Sequence, residues 1–143
     1  MELQPLILVV DDDPAIRQLV RLALESAGYE VATAPSGETA LAWLAETRPD
    51  LVVLDLSMPG FDSSEVLRRL RWDNRPGGRV PVVVLLDRTI SRMAAFEAGA
   101  DHYLLKPLSP QEVVARVAAI LPRPVDTPTA ETEAALVAES EAA

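Results

Sequence analysis

Five short apolar runs, separated by stretches whose apolar residues recur at helical spacing, constrain this chain more than any other feature of its 143 residues. Leu6–Val10, Leu51–Leu54 and Val82–Leu86 are continuously apolar, as strands covered on both faces are. Tyr29–Ala34 is more polar, which suits the edge of a sheet, and His102–Leu105 is short and stops at Lys106-Pro107. Between the runs, Asp13-Pro14 reads as an N-cap followed by proline at the first helical position. Ile16, Leu19, Val20, Ala23 and Ala27 then share a face before Gly28 stops the helix. Ser36 is expected to cap a second helix carrying Ala40, Leu41, Leu44 and Ala45, and Ser63 or Ser64 a third carrying Val66, Leu67 and Leu70. A short fourth helix is expected from Ile90 to Ala98, ended by Gly99. Ser109-Pro110-Gln111-Glu112 has the form of a capping box opening a fifth, with Val113, Val114, Val117, Ile120 and Leu121 on its buried face. Strand and helix therefore alternate five times. That order predicts an α/β fold: a doubly wound, five-stranded parallel sheet with five helices as crossovers covering both faces. Open sheets of this kind place ligands beyond the carboxyl ends of their strands.

Composition narrows the partners. Hydrophobic residues make up 49% of the sequence, enough for one core, and the net charge of −9 sets the chain against phosphate backbones and anionic lipid. Neither nucleic acid nor membrane is expected as a direct partner. Cysteine is absent, which removes disulfides, thiolate metal sites and thiol nucleophiles, and fits a cytoplasmic setting. The apolar runs are too short to span a bilayer, and the start lacks the basic segment of a secretory signal. Residues 1–121 read as one compact domain. Residues 122–143 differ: Pro122, Pro124 and Pro128 lead into an Ala- and Glu-rich acidic tail or linker carrying −4 of the total charge.

Charged residues stand where the fold would place a ligand. The first run ends in Asp11-Asp12-Asp13, the third in Asp55, and the fifth in Lys106. Carboxylates brought into one crevice repel one another and call for a neutralising cation. Mg²⁺ fits, because it takes oxygen ligands, needs only one or two carboxylates and keeps waters that phosphate can replace. A carboxylate can also act as a nucleophile, and a lysine as a point charge on a phosphoryl oxygen. Together these residues point to phosphoryl transfer onto a carboxylate.

Ile7-Leu-Val-Val-Asp-Asp-Asp-Pro14, Asp50-Leu-Val-Val-Leu-Asp-Leu-Ser-Met-Pro-Gly60, Glu97-Ala-Gly-Ala-Asp101 and Tyr103-Leu-Leu-Lys-Pro107 follow one another in a telling order. Over roughly residues 5–121 the chain resembles the receiver domain of bacterial two-component response regulators. The resemblance implies a flavodoxin-like sheet of order 2-1-3-4-5. It implies Asp55 as phospho-acceptor, and Mg²⁺ held by Asp11, Asp12 and Asp55, with Asp12 a direct ligand and Ser57 offering its backbone carbonyl. It further implies Lys106 on the phosphoryl group, a cis Lys106-Pro107 bond, and Tyr103 as an aromatic that changes rotamer. The implied partners are a sensor histidine kinase or phosphotransfer protein, or a small phosphodonor, upstream; and a protein target, or a second copy in a homodimer, downstream.

The sequence also departs from that family. Where a Ser or Thr usually ends the fourth strand stands Leu86, and the small residue after it is Asp87. The stretch from Leu86 to Lys106 is short, and Ser63 replaces a usual glycine. Two alternatives follow: a phosphorylation-independent docking module, or a phosphatase of the haloacid-dehalogenase kind opening with Asp11-x-Asp13. Against the latter, Leu86 is not Ser or Thr, and no acidic pair follows Lys106. Outside the site, His102 reads as a surface residue and Trp43 and Trp72 as core or cover. Arg68, Arg69, Arg71 and Arg75 read as a solvated basic face complementing the helix dipole, on which the acidic tail could dock.

Overall fold

The apolar runs become strands and the spaced stretches become helices in unbroken alternation. The order is β1 (Leu6–Val10), α1 (Pro14–Ser26), β2 (Glu30–Ala34), α2 (Gly37–Glu46), β3 (Leu51–Asp55), α3 (Ser63–Arg71), β4 (Val82–Leu86), α4 (Arg92–Glu97), β5 (His102–Leu105) and α5 (Pro110–Ile120). This computed structural model describes residues 4–58, 63–72, 79–88 and 92–122. Expectations for Arg75 and residues 123–143 lie outside the described residues. All pairings are parallel and the sheet order is β2-β1-β3-β4-β5. The polar second run is indeed an edge strand.

Side chains of a strand alternate between faces, and the core divides accordingly. Ile7 and Val9 of β1 and Leu51 and Val53 of β3 pack with Val20 and Leu24 of α1 and Val113 and Val117 of α5. Leu8, Val10, Val52 and Leu54 face the opposite way, toward Ala40 and Leu44 of α2, Val66, Leu67 and Leu70 of α3, and Ala95 of α4. Every residue of β3 and β4 is buried, and apart from Asp55 at the end of β3 all are apolar, each apolar side chain stabilising the middle of the sheet by about 1.5–3 kcal/mol. Functional groups are left to emerge only at the strand ends.

Capping follows the sequence closely. Asp13 accepts the Ala15 N–H at 2.9 Å and Ser36 the Thr39 N–H at 3.2 Å. Ser109 accepts the Glu112 N–H at 3.3 Å and donates its own hydroxyl proton to Gln111 at 3.0 Å. Gly28 and Gly99 end their helices at φ 101° and 109°, a region that side chains with a Cβ disfavour. The third helix differs from expectation: the Ser63 hydroxyl does not cap it but donates to the Asp55 carbonyl at 2.8 Å. Lys106-Pro107 is cis.

Two expectations about the third helix are corrected. Arg71 does not lie on a solvated face: it turns under the sheet and donates to Gly99, Val80 and Asp101. Trp72 is neither core nor cover, being 76% exposed, whereas Trp43 does pack against the core. His102 is half-buried on β5. Among the described residues, no helix is long and apolar enough to cross a membrane.

Candidate functional site

The crevice forms where β1, β3 and β5 end side by side. Asp11 follows β1 directly and is fully buried; Asp12 beside it is exposed. Asp55 is the last residue of β3 and only 1% exposed. Lys106 follows β5, anchored by its N–H to the Leu86 carbonyl at 2.8 Å. Each of Asp11, Asp12 and Asp55 offers one carboxylate oxygen, and these oxygens lie within 4.8 Å of one another. The Lys106 ammonium reaches into the group, with Nζ 3.2 Å from Asp55 Oδ2 and 3.5 Å from Asp11 Oδ2. The expected residues therefore converge from three separate strand ends.

Local hydrogen bonds hold the carboxylates in place. Asp11 Oδ1 accepts the Asp13 N–H at 2.9 Å, and Arg17 of α1 donates to the Asp11 carbonyl at 2.8 Å. Asp55 Oδ1 accepts from both the backbone N–H and the hydroxyl of Ser57, at 2.9 and 2.7 Å. The Ser57 hydroxyl, where the resemblance implies a role for the carbonyl alone, thus lies on the Asp55 carboxylate itself. Its position two residues after Asp55 was the available signal, since Asx-type turns bring that residue's N–H back onto the carboxylate.

Charge is unevenly compensated. Burial pushes Asp11 up from the ordinary 3.8 to about 6; the Asp13 N–H opposes this, the Asp55 charge adds to it, and Lys106 pulls it down. Burial alone would lower Lys106, but the Asp11 and Asp55 carboxylates outweigh it and raise its pKa. Asp11 Oδ2 is buried without a hydrogen-bond partner, the ammonium standing at ion-pair distance only. A buried carboxylate oxygen in that condition is costly, and a hard cation among the three acids would relieve it. The donor set, all oxygen, suits such an ion.

The departures from the family pattern are settled in space. Leu86 is fully buried in the cluster containing Leu54, Met58 and Val66, so it belongs to the core. Asp87 is half-buried and is not one of the three converging carboxylates. Tyr103 packs edge-on to Phe96 at 5.8 Å, with the Arg92 guanidinium 5.2 Å from its ring centroid.

Known proteins resemble this chain in sequence and fold. The DNA-binding response regulator MtrA of Mycolicibacterium smegmatis is 43% identical over 124 residues, which are 85% of this chain and 53% of that protein. The DNA-binding dual master transcriptional regulator RpaA of Synechocystis is 44% identical over 121 residues, 83% of this chain and 50% of that protein. The chain thus spans about half the length of the curated relatives it matches. Among solved structures, the chemotaxis response regulator CheY4 of Vibrio cholerae superposes with a TM-score of 0.74 at 30% identity, covering 83% of this chain and all 100% of that one. A response regulator receiver protein from Burkholderia phymatum gives 0.72 at 37% identity, covering 85% and 100%. The net charge of −9 belongs to these 143 residues and not to the additional length of relatives named for DNA binding. The family model of the response regulator receiver domain matches residues 7–118, and with the fold and the strand-end carboxylates in agreement, the chain belongs to that family.

Proposed function

We propose that this receiver accepts a phosphoryl group on Asp55 and passes the change on through protein contacts. The observation that carries the reading is Lys106 Nζ lying 3.2 Å from Asp55 Oδ2 beside a buried, unsatisfied Asp11 oxygen. In the step, an Asp55 carboxylate oxygen attacks phosphorus. An O–P bond forms as the donor's bond to phosphorus breaks, and the electron pair leaves with the imidazole nitrogen of a kinase histidine or the oxygen of a small acyl phosphate. Lys106 holds positive charge beside the oxygen that receives the phosphoryl group. The Ser57 backbone N–H, 2.9 Å from Oδ1, fixes the carboxylate's orientation. Asp11, Asp12, Asp55 and the Ser57 carbonyl would hold Mg²⁺, which when bound neutralises phosphoryl charge.

The receiver domain in this reading is residues 1–121, and residues 122–143 form a tail or linker. The upstream partner is a sensor histidine kinase or phosphotransfer protein, and the downstream partner a protein target or a second copy of the chain. An acidic, cysteine-free sequence supports a cytoplasmic location. The domain acts as a signalling acceptor rather than as a turnover enzyme.

Incubation with Mg²⁺ and acetyl phosphate is expected to add the mass of one phosphoryl group. Asp55→Asn should abolish the addition. Absence of an adduct with both acetyl phosphate and a phosphorylated histidine-kinase donor would overturn the reading.

A further inference from the structure

Asp55 presents two differently held oxygens. Oδ2 faces the Lys106 ammonium at 3.2 Å, whereas Oδ1 accepts the Ser57 N–H at 2.9 Å and the Ser57 hydroxyl at 2.7 Å. The N–H is fixed by the backbone. The hydroxyl turns about a single dihedral with three staggered wells. At the end of β4, the neighbouring strand, Leu86 is fully buried in the core and has no polar hydrogen to give. Ser63 is already committed to the Asp55 main-chain carbonyl at 2.8 Å.

We propose that the Ser57 hydroxyl is the side-chain donor to the phosphoryl group in this receiver, leaving Asp55 Oδ1 for a phosphoryl oxygen as the acyl phosphate forms. The inference rests on Asp55 being the acceptor. Before transfer, the carboxylate's charge makes Oδ1 the strong acceptor within reach. Bond formation removes that charge and places about −1.5 to −2 on the phosphoryl oxygens. A hydroxyl 2.7 Å from Oδ1 then has a better, charge-assisted acceptor in the phosphoryl group carried on the neighbouring Oδ2. In the transition state charge spreads over the three equatorial oxygens, so a donor placed there lowers the barrier in both directions. In the forward direction the Asp55 oxygen attacks phosphorus and acetate leaves acetyl phosphate with the electron pair. In the return direction a water oxygen attacks phosphorus, the Asp55–phosphorus bond breaks with its pair restored to the carboxylate, and inorganic phosphate and a proton depart.

A merely orienting hydroxyl has the opposite kinetic sign. It would stabilise the free carboxylate and blunt the nucleophile, so its removal would hasten attack.

The test uses the full chain with Mg²⁺ and acetyl phosphate, following adduct formation and then adduct loss by intact mass. Ser57→Ala is expected to slow both by about 10- to 100-fold, the value of one hydrogen bond to a charged group. Ser57→Thr, which keeps the hydroxyl, is expected to restore both to within a few-fold. Mg²⁺ affinity by calorimetry should stay near wild type in Ser57→Ala, because the backbone carbonyl is retained. Formation in Ser57→Ala as fast as or faster than wild type overturns the proposal, as does failure of Ser57→Thr to restore it. No adduct on the wild-type chain overturns the acceptor reading itself, and this inference with it.

Discussion

Arg71 Nη2 lies 2.7 Å from Asp101 Oδ2, and that same carboxylate oxygen accepts the Val82 N–H at 2.8 Å. The last residue of α3 is thereby tied to the first residue of β4 and to the turn that precedes β5. The rest of the guanidinium is also used, with Nε on the Gly99 carbonyl and Nη1 on the Val80 carbonyl, both at 2.9 Å. Burial lowers the Arg71 pKa and Asp101 opposes this, so the pair is partly desolvated. Breaking it takes the guanidinium from the Val80 carbonyl, while Arg79 still reaches Asp101 Oδ1 at 2.9 Å and the Gly99 carbonyl at 3.2 Å. Arg71→Ala is expected to lower stability by about 2–4 kcal/mol, somewhat less than for a fully buried pair. Arg71→Lys should recover little, because an ammonium lacks the planar fork. Urea unfolding at pH 7 measures both.

Gly99 is bound to the same clamp. It sits at φ 109°, and a Cβ there would come within 3.3 Å of Arg71 Cγ and Nε. Gly99→Ala should therefore cost about 1–3 kcal/mol from backbone strain, plus the contact with Arg71. In an Arg71→Ala background the contact is gone, so the same substitution should cost measurably less. A double-mutant cycle from urea midpoints reads the difference, and additive losses would show that only the backbone matters.

The raised Asp11 pKa makes stability depend on pH in a definite direction. Its folded value of about 6 exceeds the ordinary 3.8, so folding takes up a proton between those values. Asp11 favours the fold below pH 3.8, and that contribution is lost as pH rises through about 6. In metal-free protein at pH 7.5, ionised Asp11 is then a liability. Asp11→Asn is expected to raise stability there by about 1–3 kcal/mol, and by about half as much at pH 5. Thermal melts in EDTA at the two pH values decide this.

Protons and a cation compete for the same carboxylate. Mg²⁺ added at pH 7.5 should stabilise the wild type by about 2.7 kcal/mol at a concentration 100 times its Kd. The Kd should rise as pH falls through about 6, by up to about tenfold per unit if one proton is displaced. Asp12→Ala should weaken binding without removing the pH dependence, since the titrating group is Asp11. Calorimetry across pH 5–8 measures both effects, and a flat Kd would contradict the assignment.

The sheet was legible because its signals are local and repeat: apolar runs such as Leu51–Leu54, caps at Asp13, Ser36 and Ser109, and stops at Gly28 and Gly99. The convergence of Asp11, Asp12, Asp55 and Lys106 followed from topology, since parallel strands bring their carboxyl ends to one edge. The misread residues depend on contacts between distant segments. Arg71 sits in an arginine-rich helix end that helix-dipole reasoning explains well enough, and only the approach of residues 80–101 turns it inward. Trp72 is apolar enough to belong in a core, yet it falls just past the end of α3, where no face of the sheet remains to cover it. Ser63 is the first residue of α3, and its hydroxyl donates to the Asp55 carbonyl, eight residues back in the chain.

Leu86 stands where the resemblance implies a Ser or Thr, and its surroundings show why a simple reversal carries a penalty. It is fully buried with Leu54, Met58 and Val66 in the cluster beneath α3 and α4. Leu86→Thr would remove apolar volume and bring a hydroxyl into that cluster. The expected loss is about 2–4 kcal/mol from the cavity and the desolvated hydroxyl together. Leu86→Met, which nearly conserves volume, should cost less than about 1.5 kcal/mol. Chemical denaturation separates the two variants. If Leu86→Thr proves as stable as wild type, its hydroxyl has found a partner at the strand end, and Leu86 borders the acceptor crevice rather than the core.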